Sequence, residues 1–276
     1  MCQGGNFPCY AYRLANGRLK NRYLANKNTA TQNYDEDSYP FYPRFWAERL
    51  EEFGRPVKAG VGIGYYDRKP KGIFVCDMGE LFGDWIPRHW QTQIFGAIQM
   101  NPQHRFYLLT KQPQNLIKFS PFPDNCWVGV TATNQGMYDS AVYHLNHIEA
   151  SVKYISIEPL LSHIHLPNYR DVDWVIIGAM TGFHIPFEYR NIELEHMPWG
   201  RGWAFQPKIE WVDEIVRAAD KAGVKVFLKN NLKPLLLSNK GFGNVSPGSL
   251  IERVIETGLY KLRQEMPKED GKDGSL

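Results

Sequence analysis

The stretch from residue 153 to residue 178 reads KYISIEPLLSHIHLPNYRDVDWVIIG. It begins and ends with apolar runs typical of buried strands, Lys153–Glu158 and Val172–Gly178. The connection between them is bounded by Pro159 and Pro167, so we expect a loop there and not a packed helix. Because neither run alternates with polar residues, both faces of their sheet should be covered, as in a parallel sheet flanked by helices.

The same pattern extends outward along the chain. Four more runs predict strands, at Ile73–Cys76, Arg105–Leu109, Cys126–Thr131 and Val224–Leu228. Helical patterns are found at Arg44–Phe53, Arg88–Met100, Lys208–Ala222 and Ser249–Leu262. Such repeated βα units predict an α/β fold, which we interpret as a partial parallel βα barrel related to the TIM barrel.

We predict a single barrel-like domain over residues 1–262. Residues 10–42 of this domain form a polar excursion before the first helix. Residues 263–276 follow the domain and form a charged tail that we expect to be frayed.

Composition excludes several classes of protein. Of the 276 residues, 43% are hydrophobic and 22% charged, which excludes a disordered or fibrous protein. The formal charge of +3 is too small to indicate a nucleic-acid or membrane-surface protein by itself. No apolar run approaches the roughly 18 residues of a membrane-spanning helix, and the first residues do not resemble a secretory signal. We therefore expect a cytoplasmic protein whose four cysteines are reduced thiols.

Polar residues follow each predicted strand. Ligands of parallel α/β folds bind at the carboxyl ends of the strands, so these residues predict one shared site. The candidates are Asp77, Gly79 and Glu80 after the first strand, Thr131 and Asn134 after the third, and Glu158 after the fourth.

A basic segment lies near the start of the chain. Its cations are interleaved with Tyr12 and Tyr23, and the next acid is Asp35. Cations of this kind bind phosphates while aromatic rings stack on bases, although an ordinary solvated surface is the alternative. The residues that would bind nucleic acid are Arg13, Arg18, Lys20, Arg22 and Lys27.

The order of motifs resembles an uncharacterised phage family known as gp thirty-seven and sixty-eight. The similar motifs are Cys2-Gln-Gly-Gly-Asn-Phe-Pro-Cys9-Tyr-Ala-Tyr, Phe74-Val-Cys-Asp-Met-Gly-Glu-Leu-Phe-Gly-Asp84-Trp, Phe106-Tyr-Leu-Leu-Thr-Lys111, Trp127-Val-Gly-Val-Thr-Ala-Thr-Asn134, Ile155-Ser-Ile-Glu-Pro-Leu-Leu161 and Trp174-Val-Ile-Ile-Gly178. Members look like radical S-adenosylmethionine (SAM) proteins, in which three cysteines hold a 4Fe-4S cluster in a partial βα barrel.

The resemblance implies roles for the candidate residues. Cys2 and Cys9 would bind the cluster, and Glu158 and Asn134 would line the reaction cavity. Contacts with SAM would come from Asp77, Gly79, Glu80 and Thr131. The substrate implied by a phage setting and the basic segment is nucleic acid.

One position departs from the family pattern. Asn6 stands where a second cysteine is expected if Cys2 is the first, and an amide is a poor iron ligand. Two explanations are open: the missing cysteine lies upstream of Met1, or the cluster has been lost. Two alternatives to the radical-SAM interpretation are a cluster-free module that binds nucleic acid or protein, and a divalent-metal hydrolase using Asp77, Glu80 and Glu158.

Overall fold

A computed structural model describes residues 9–30, 38–51, 69–165, 169–182, 194–236, 250–253 and 260–268. The chain divides into two compact units. The first consists of Met1–Val128 with Glu149–Ser151, and the second of Gly129–Ile148 with Val152–Leu276.

The strands form three sheets. In chain order they are β1 Gly72–Phe74, β2 Arg105–Thr110, β3 Cys126–Thr131, β4 Val152–Ile157, β5 Trp174–Ile177, β6 Met180–Gly182, β7 Glu195–Trp199, β8 Gly202–Gln206, β9 Lys225–Leu228, β10 Ile251–Arg253 and β11 Tyr260–Leu262. The main sheet has six strands in the order β1-β2-β3-β4-β5-β9. Parallel pairing joins β1 to β2, β4 to β5 and β5 to β9. The prediction of a mixed α/β fold with a parallel sheet is confirmed, and all six predicted strands are present.

The helices are α1 Tyr10–Asn16, α2 Lys20–Ala25, α3 Ala47–Leu50, α4 Arg88–Gln99, α5 Gln135–Leu145, α6 Ile209–Ala222 and α7 Lys233–Leu236. The predictions of α4 and α6 are confirmed, and α6 ends at Gly223, whose φ of 74° suits glycine. Only Ala47–Leu50 is helical within the predicted helix at Arg44–Phe53, of which Glu52 and Phe53 lie outside the described residues. Among the described residues, no helix is both long and apolar enough to cross a membrane.

Two predictions about local structure are wrong. The polar excursion 10–42 does not precede the first helix, because α1 and α2 lie within residues 10–25. Helix α1 buries only the small residues Ala11 and Ala15, which gave a weak helical signal. The predicted helix Ser249–Leu262 contains β10 and β11, which pair antiparallel. The alternating polar and apolar order of Tyr260-Lys261-Leu262 fits a strand, and the helical interpretation overlooked it.

An antiparallel sheet of order β6-β8-β7 was not predicted from the sequence. In it, β7 and β8 form a hairpin across Gly200 and Arg201, and Gly200 has a φ of 57°. A glycine with positive φ is common in two-residue hairpin turns. The glycine at this turn was therefore the available sequence signal for the β7–β8 hairpin.

The start of the predicted charged tail is attached to β9. The amide of Glu265 donates to the carbonyl of Val226 at 2.8 Å, and the indole of Trp174 donates to the carbonyl of Glu265 at 2.9 Å. Arg263 also pairs with Asp220 on α6 at 2.7 Å. Residues 263–265 are therefore packed against β9 and α6, and residues 269–276 lie outside the described part of the chain.

The strands of the second unit have two different faces. One carries aliphatic side chains that are fully buried, namely Ile155, Ile157, Val175, Ile177, Val226 and Leu228. The other face carries Tyr154, Ser156 and then Glu158, because successive side chains alternate along a strand. A Cβ atom added at Gly129 would lie 2.3 Å from the ring of Tyr154, so this ring covers the glycine. Alternation from Gly129 places Thr131 on this second face too.

We predict that Gly129→Ala destabilises the protein by about 1–3 kcal/mol, because a buried ring must be displaced to admit the methyl group. Gly96→Ala is the matched control. Its Cβ would meet nothing within 4 Å in α4, so it should stabilise by about 0.5–1 kcal/mol. Urea unfolding measures the free energy of unfolding of both variants. Changes of equal sign and size would contradict the packing of the Tyr154 ring over Gly129.

Candidate functional site

The loop after β1 is fastened by the carboxylate of Glu80. This side chain is buried, and its Oε1 accepts hydrogen bonds from Thr110 Oγ1 at 2.7 Å and from the amide of Phe82 at 3.2 Å. Its Oε2 accepts from the amide of Lys111 at 3.0 Å. Since Thr110 and Lys111 lie at the end of β2, Glu80 joins the loop to the neighbouring strand.

Glu80 retains limited capacity for a ligand. An ionised carboxylate has about four acceptor positions. Three of those on Glu80 are filled from within the chain, which leaves one on Oε2. Glu80 therefore stabilises the fold and can accept one further hydrogen bond, as from an amino group. Gly79 lies in the same loop, where its amide donates to the carbonyl of Cys76 at 2.8 Å and an added Cβ would meet nothing within 4 Å.

The start of α1 lies against this same loop. The hydroxyl of Tyr10 donates to the carbonyl of Asp77. Burial raises the pKa of Tyr10 to about 12, with the charge of Asp77 as the second cause, so this hydroxyl stays protonated at neutral pH. Cys9 precedes Tyr10 and is exposed, and its Sγ accepts from the amide of Tyr12 at 3.5 Å as the cap of α1. The contact with the Asp77 loop is thus made by Tyr10, the residue that follows Cys9, whereas Cys2 lies outside the described residues.

The other two cysteines have different surroundings. Cys76 is not inside β1 as predicted, but follows it in a turn with a φ of 56°. Burial raises the pKa of its thiol to about 12, aided by the charges of Glu80 and Asp77, so the thiol stays protonated at neutral pH. Cys126 is fully buried in β3, as expected of a small hydrophobe. Within the described ranges, no group of three histidine, cysteine or acidic residues could hold a metal ion.

In the second unit, Glu158 forms an ion pair across the end of the sheet. Its Oε1 lies 2.8 Å from Lys229 Nζ, and its Oε2 accepts from Ser156 Oγ at 3.2 Å. Glu158 follows β4 and Lys229 follows β9, while Gly178 follows the intervening strand β5. A Cβ atom at Gly178 would lie 2.6 Å from Glu158 Oε1, so only glycine leaves room for the pair as it stands.

Asn231 fixes the backbone next to this pair. Its carboxamide accepts from the amide of Ala179 at 3.1 Å and donates to the carbonyl of the same residue at 2.8 Å. Gln206 in turn donates to the carbonyl of Asn231 at 2.9 Å. Sequence reasoning did not select Lys229 or Asn231 as site residues. The available signal was their position directly after the predicted strand Val224–Leu228.

Asn134 and Thr131 differ in what they offer a ligand. The carboxamide oxygen of Asn134 accepts from the amide of Met137 at 3.0 Å and caps α5, so its contribution is at least partly structural. Thr131 is buried, and its hydroxyl has no hydrogen-bond partner among the described residues. A buried polar group without a partner is unusual, which makes Thr131 the stronger candidate for a ligand contact.

The basic segment is exposed along its length. Its five predicted nucleic-acid-binding residues, Arg13, Arg18, Lys20, Arg22 and Lys27, are all accessible to solvent. The rings of Tyr12 and Tyr23 have partners within the chain, Phe41 at 5.4 Å and Trp46 at 5.6 Å between ring centroids. Binding of nucleic acid by this segment stays a prediction.

A family model described as a protein of unknown function (DUF5131) matches residues 2–192, more than half of the chain. The chain belongs to this family. The match to the DUF5131 model includes Cys9, the Glu80 loop, Thr131 and Glu158, and it ends before Lys229. Comparisons with curated proteins and with solved structures give no match.

We predict that Thr110→Val destabilises the protein by about 1–3 kcal/mol, because the buried carboxylate of Glu80 loses a hydroxyl donor while the side-chain shape is kept. The same substitution at Thr92, which is exposed on α4, should change the free energy of unfolding by less than about 0.5 kcal/mol. Urea unfolding compares the two variants. Equal stability of both would show that Glu80 does not hold the loop to β2.

Proposed function

We propose that this protein is a radical-SAM-like iron-sulfur enzyme that acts on nucleic acid, and that its parallel sheet is that of a partial βα barrel. The position of Cys9 is the main support. Cys9 has an exposed thiol and directly precedes Tyr10, whose hydroxyl contacts the acidic loop that follows the first strand of a parallel sheet. Ligands of such sheets bind at the carboxyl ends of the strands.

The cysteines of this chain could supply part of the thiolate set that holds an iron-sulfur cluster. Iron-sulfur clusters are held by thiolates, so a ligand must be deprotonated and accessible. Cys9 is accessible, and Cys2 and Cys9 are the proposed ligands. Cys76 is less accessible than Cys9 and lies in a turn after β1, so it is the weaker candidate for a cluster ligand. With a third thiolate added to Cys2 and Cys9, such a cluster would have one iron open to SAM and, once reduced by an external one-electron donor, would supply the electron for cleaving the sulfonium bond.

In the first unit, the chain's own residues would orient SAM. The last acceptor position of Glu80 suits a hydrogen bond from the amino group of SAM. That position is fixed, because three internal donors hold the carboxylate. Asp77 and Gly79 belong to the same loop, and Tyr10 holds the backbone of that loop at Asp77.

In the second unit, Glu158 would act towards the substrate. Lys229 and Ser156 hold its carboxylate in one orientation. An oriented carboxylate can accept a hydrogen bond or a proton from a substrate group. Thr131 offers a buried hydroxyl to a ligand bound in the second unit, and Asn134 would contribute to that site from the start of α5.

A divalent-metal hydrolase has less support from the same contacts. Glu80 is largely used by internal donors, and Glu158 is paired with a cation. Each carboxylate therefore already has partners within its own unit.

We predict that anaerobic reconstitution with iron and sulfide gives about four irons per chain, and that Cys9→Ser reduces this to fewer than about two. Serine retains the cap of α1 but does not supply the thiolate. Cys76→Ser is the matched control and should keep the full iron content, since Cys76 is less exposed than Cys9 and is not a proposed ligand. Iron and sulfide per chain and the visible absorption are measured for all three proteins.

Fewer than about two irons on the unmodified chain, or the same iron content in both serine variants, would contradict the proposal. An iron-free chain would favour the cluster-free binding module.

A further inference from the structure

The first unit contains a cavity that the proposed cluster site does not use. Its volume is about 390 Å³, within the usual range for small-ligand pockets. The lining residues that matter for recognition are Arg22, Asn26, Asn28, Phe45, Trp46 and Glu48. They come from α2, from the segment that follows it and from the start of α3.

The walls of this cavity are held by packing and hydrogen bonds. Phe45 is buried and stacks on Trp90 with 5.3 Å between ring centroids. Asn26 donates from its carboxamide to the carbonyl of Phe45 at 2.9 Å and accepts from the amide of Asn28 at 2.8 Å. These contacts join the two segments that form the cavity.

The wall of the cavity includes the indole ring of Trp46, which Tyr23 contacts at 5.6 Å between ring centroids. The guanidinium of Arg22 lies over the ring of Trp46, 5.2 Å from the ring centroid, and Trp46 is half-buried. Nucleic-acid bases stack on aromatic rings and on guanidinium planes alike.

The polar groups favour a base in the cavity over a phosphate. Asn28 offers both a donor and acceptors, and Glu48 offers a carboxylate that accepts from the amino group of a base. The same carboxylate repels a phosphate, so the phosphates must lie outside. Positive charge to bind the phosphates outside the cavity comes from the adjoining segment, where Arg18, Lys20 and Lys27 are exposed.

We propose that this cavity binds one base of a single-stranded nucleic acid, preferentially a base with an exocyclic amino group, while the neighbouring cations bind the flanking phosphates. This inference rests on the proposed function for nucleic acid as the substrate class, and it names the surface that would recognise that substrate.

Binding is tested on iron-free protein with a fluorescein-labelled oligodeoxycytidylate of about 12 nucleotides, by fluorescence anisotropy. Trp46→Ala should weaken binding by about 5-fold to about 100-fold, the range for loss of one aromatic stacking partner. Trp203→Ala is the matched control, because Trp203 is a partly exposed tryptophan of the second unit, at 40% exposure. Its affinity should stay within about twofold of the unmodified protein.

An abasic oligonucleotide of the same length separates stacking from attraction to phosphate. It should bind the unmodified protein more weakly than the cytidylate does, and Trp46→Ala should not weaken it further. If Trp46→Ala does not fold, Arg22→Gln keeps the ring and should still reduce affinity for the cytidylate.

The inference is overturned if the unmodified protein does not bind the cytidylate, if both oligonucleotides bind equally, or if Trp46→Ala and Trp203→Ala bind alike. If the protein does not bind the oligonucleotide as expected, its iron incorporation should be unaffected. This result is therefore distinguishable from failure of the enzyme proposal. Binding that depends on Trp46 in a chain that never takes up iron would support the binding module.

Discussion

The buried carboxylate of Glu80 is the contact on which the candidate site of the first unit depends. It gathers donors from its own loop and from the end of β2, and so fixes the path of the chain after β1. With that path fixed, the Asp77 carbonyl is available to the hydroxyl of Tyr10, which joins the start of α1 to the loop one residue after Cys9. The position of an exposed thiol near the start of the chain thus depends on a carboxylate far along the sequence.

In the second unit, the ion pair of Glu158 and Lys229 depends on a glycine, Gly178. Gly178 leaves the space in which Glu158 and Lys229 meet, and Asn231 fixes the backbone beside them. A charged pair at the carboxyl ends of strands is costly to orient unless the backbone around it is rigid. This pair gains its orientation from three paired strands, and Asn231 is hydrogen-bonded to Ala179 after the middle one, β5.

The parallel sheet was predictable because continuous apolar runs are a strong signal of buried strands. The β6-β8-β7 sheet was not, since β6 has only three residues and no apolar run. The short helix α1 was hidden because it buries only two alanines. Strong signals therefore came from buried strands such as β3 and β4 and from the amphipathic helices α4 and α6.

For the site, sequence order identified Glu80 and Glu158 as polar residues after strands, but not what they contact. The partners of Glu80 lie on the next strand, and the pairing of Glu158 with Lys229 requires the strand order β4-β5-β9. The cavity at Trp46 depends on the approach of α2 to α3, which no local pattern of residues encodes.

Electron paramagnetic resonance of the anaerobically reconstituted, dithionite-reduced chain tests the central claim most directly. A cluster beside the Glu80 loop with one iron open to SAM should give a reduced-cluster signal whose shape changes when SAM is added. The absence of a cluster signal, or a signal that SAM leaves unaltered, would contradict the account.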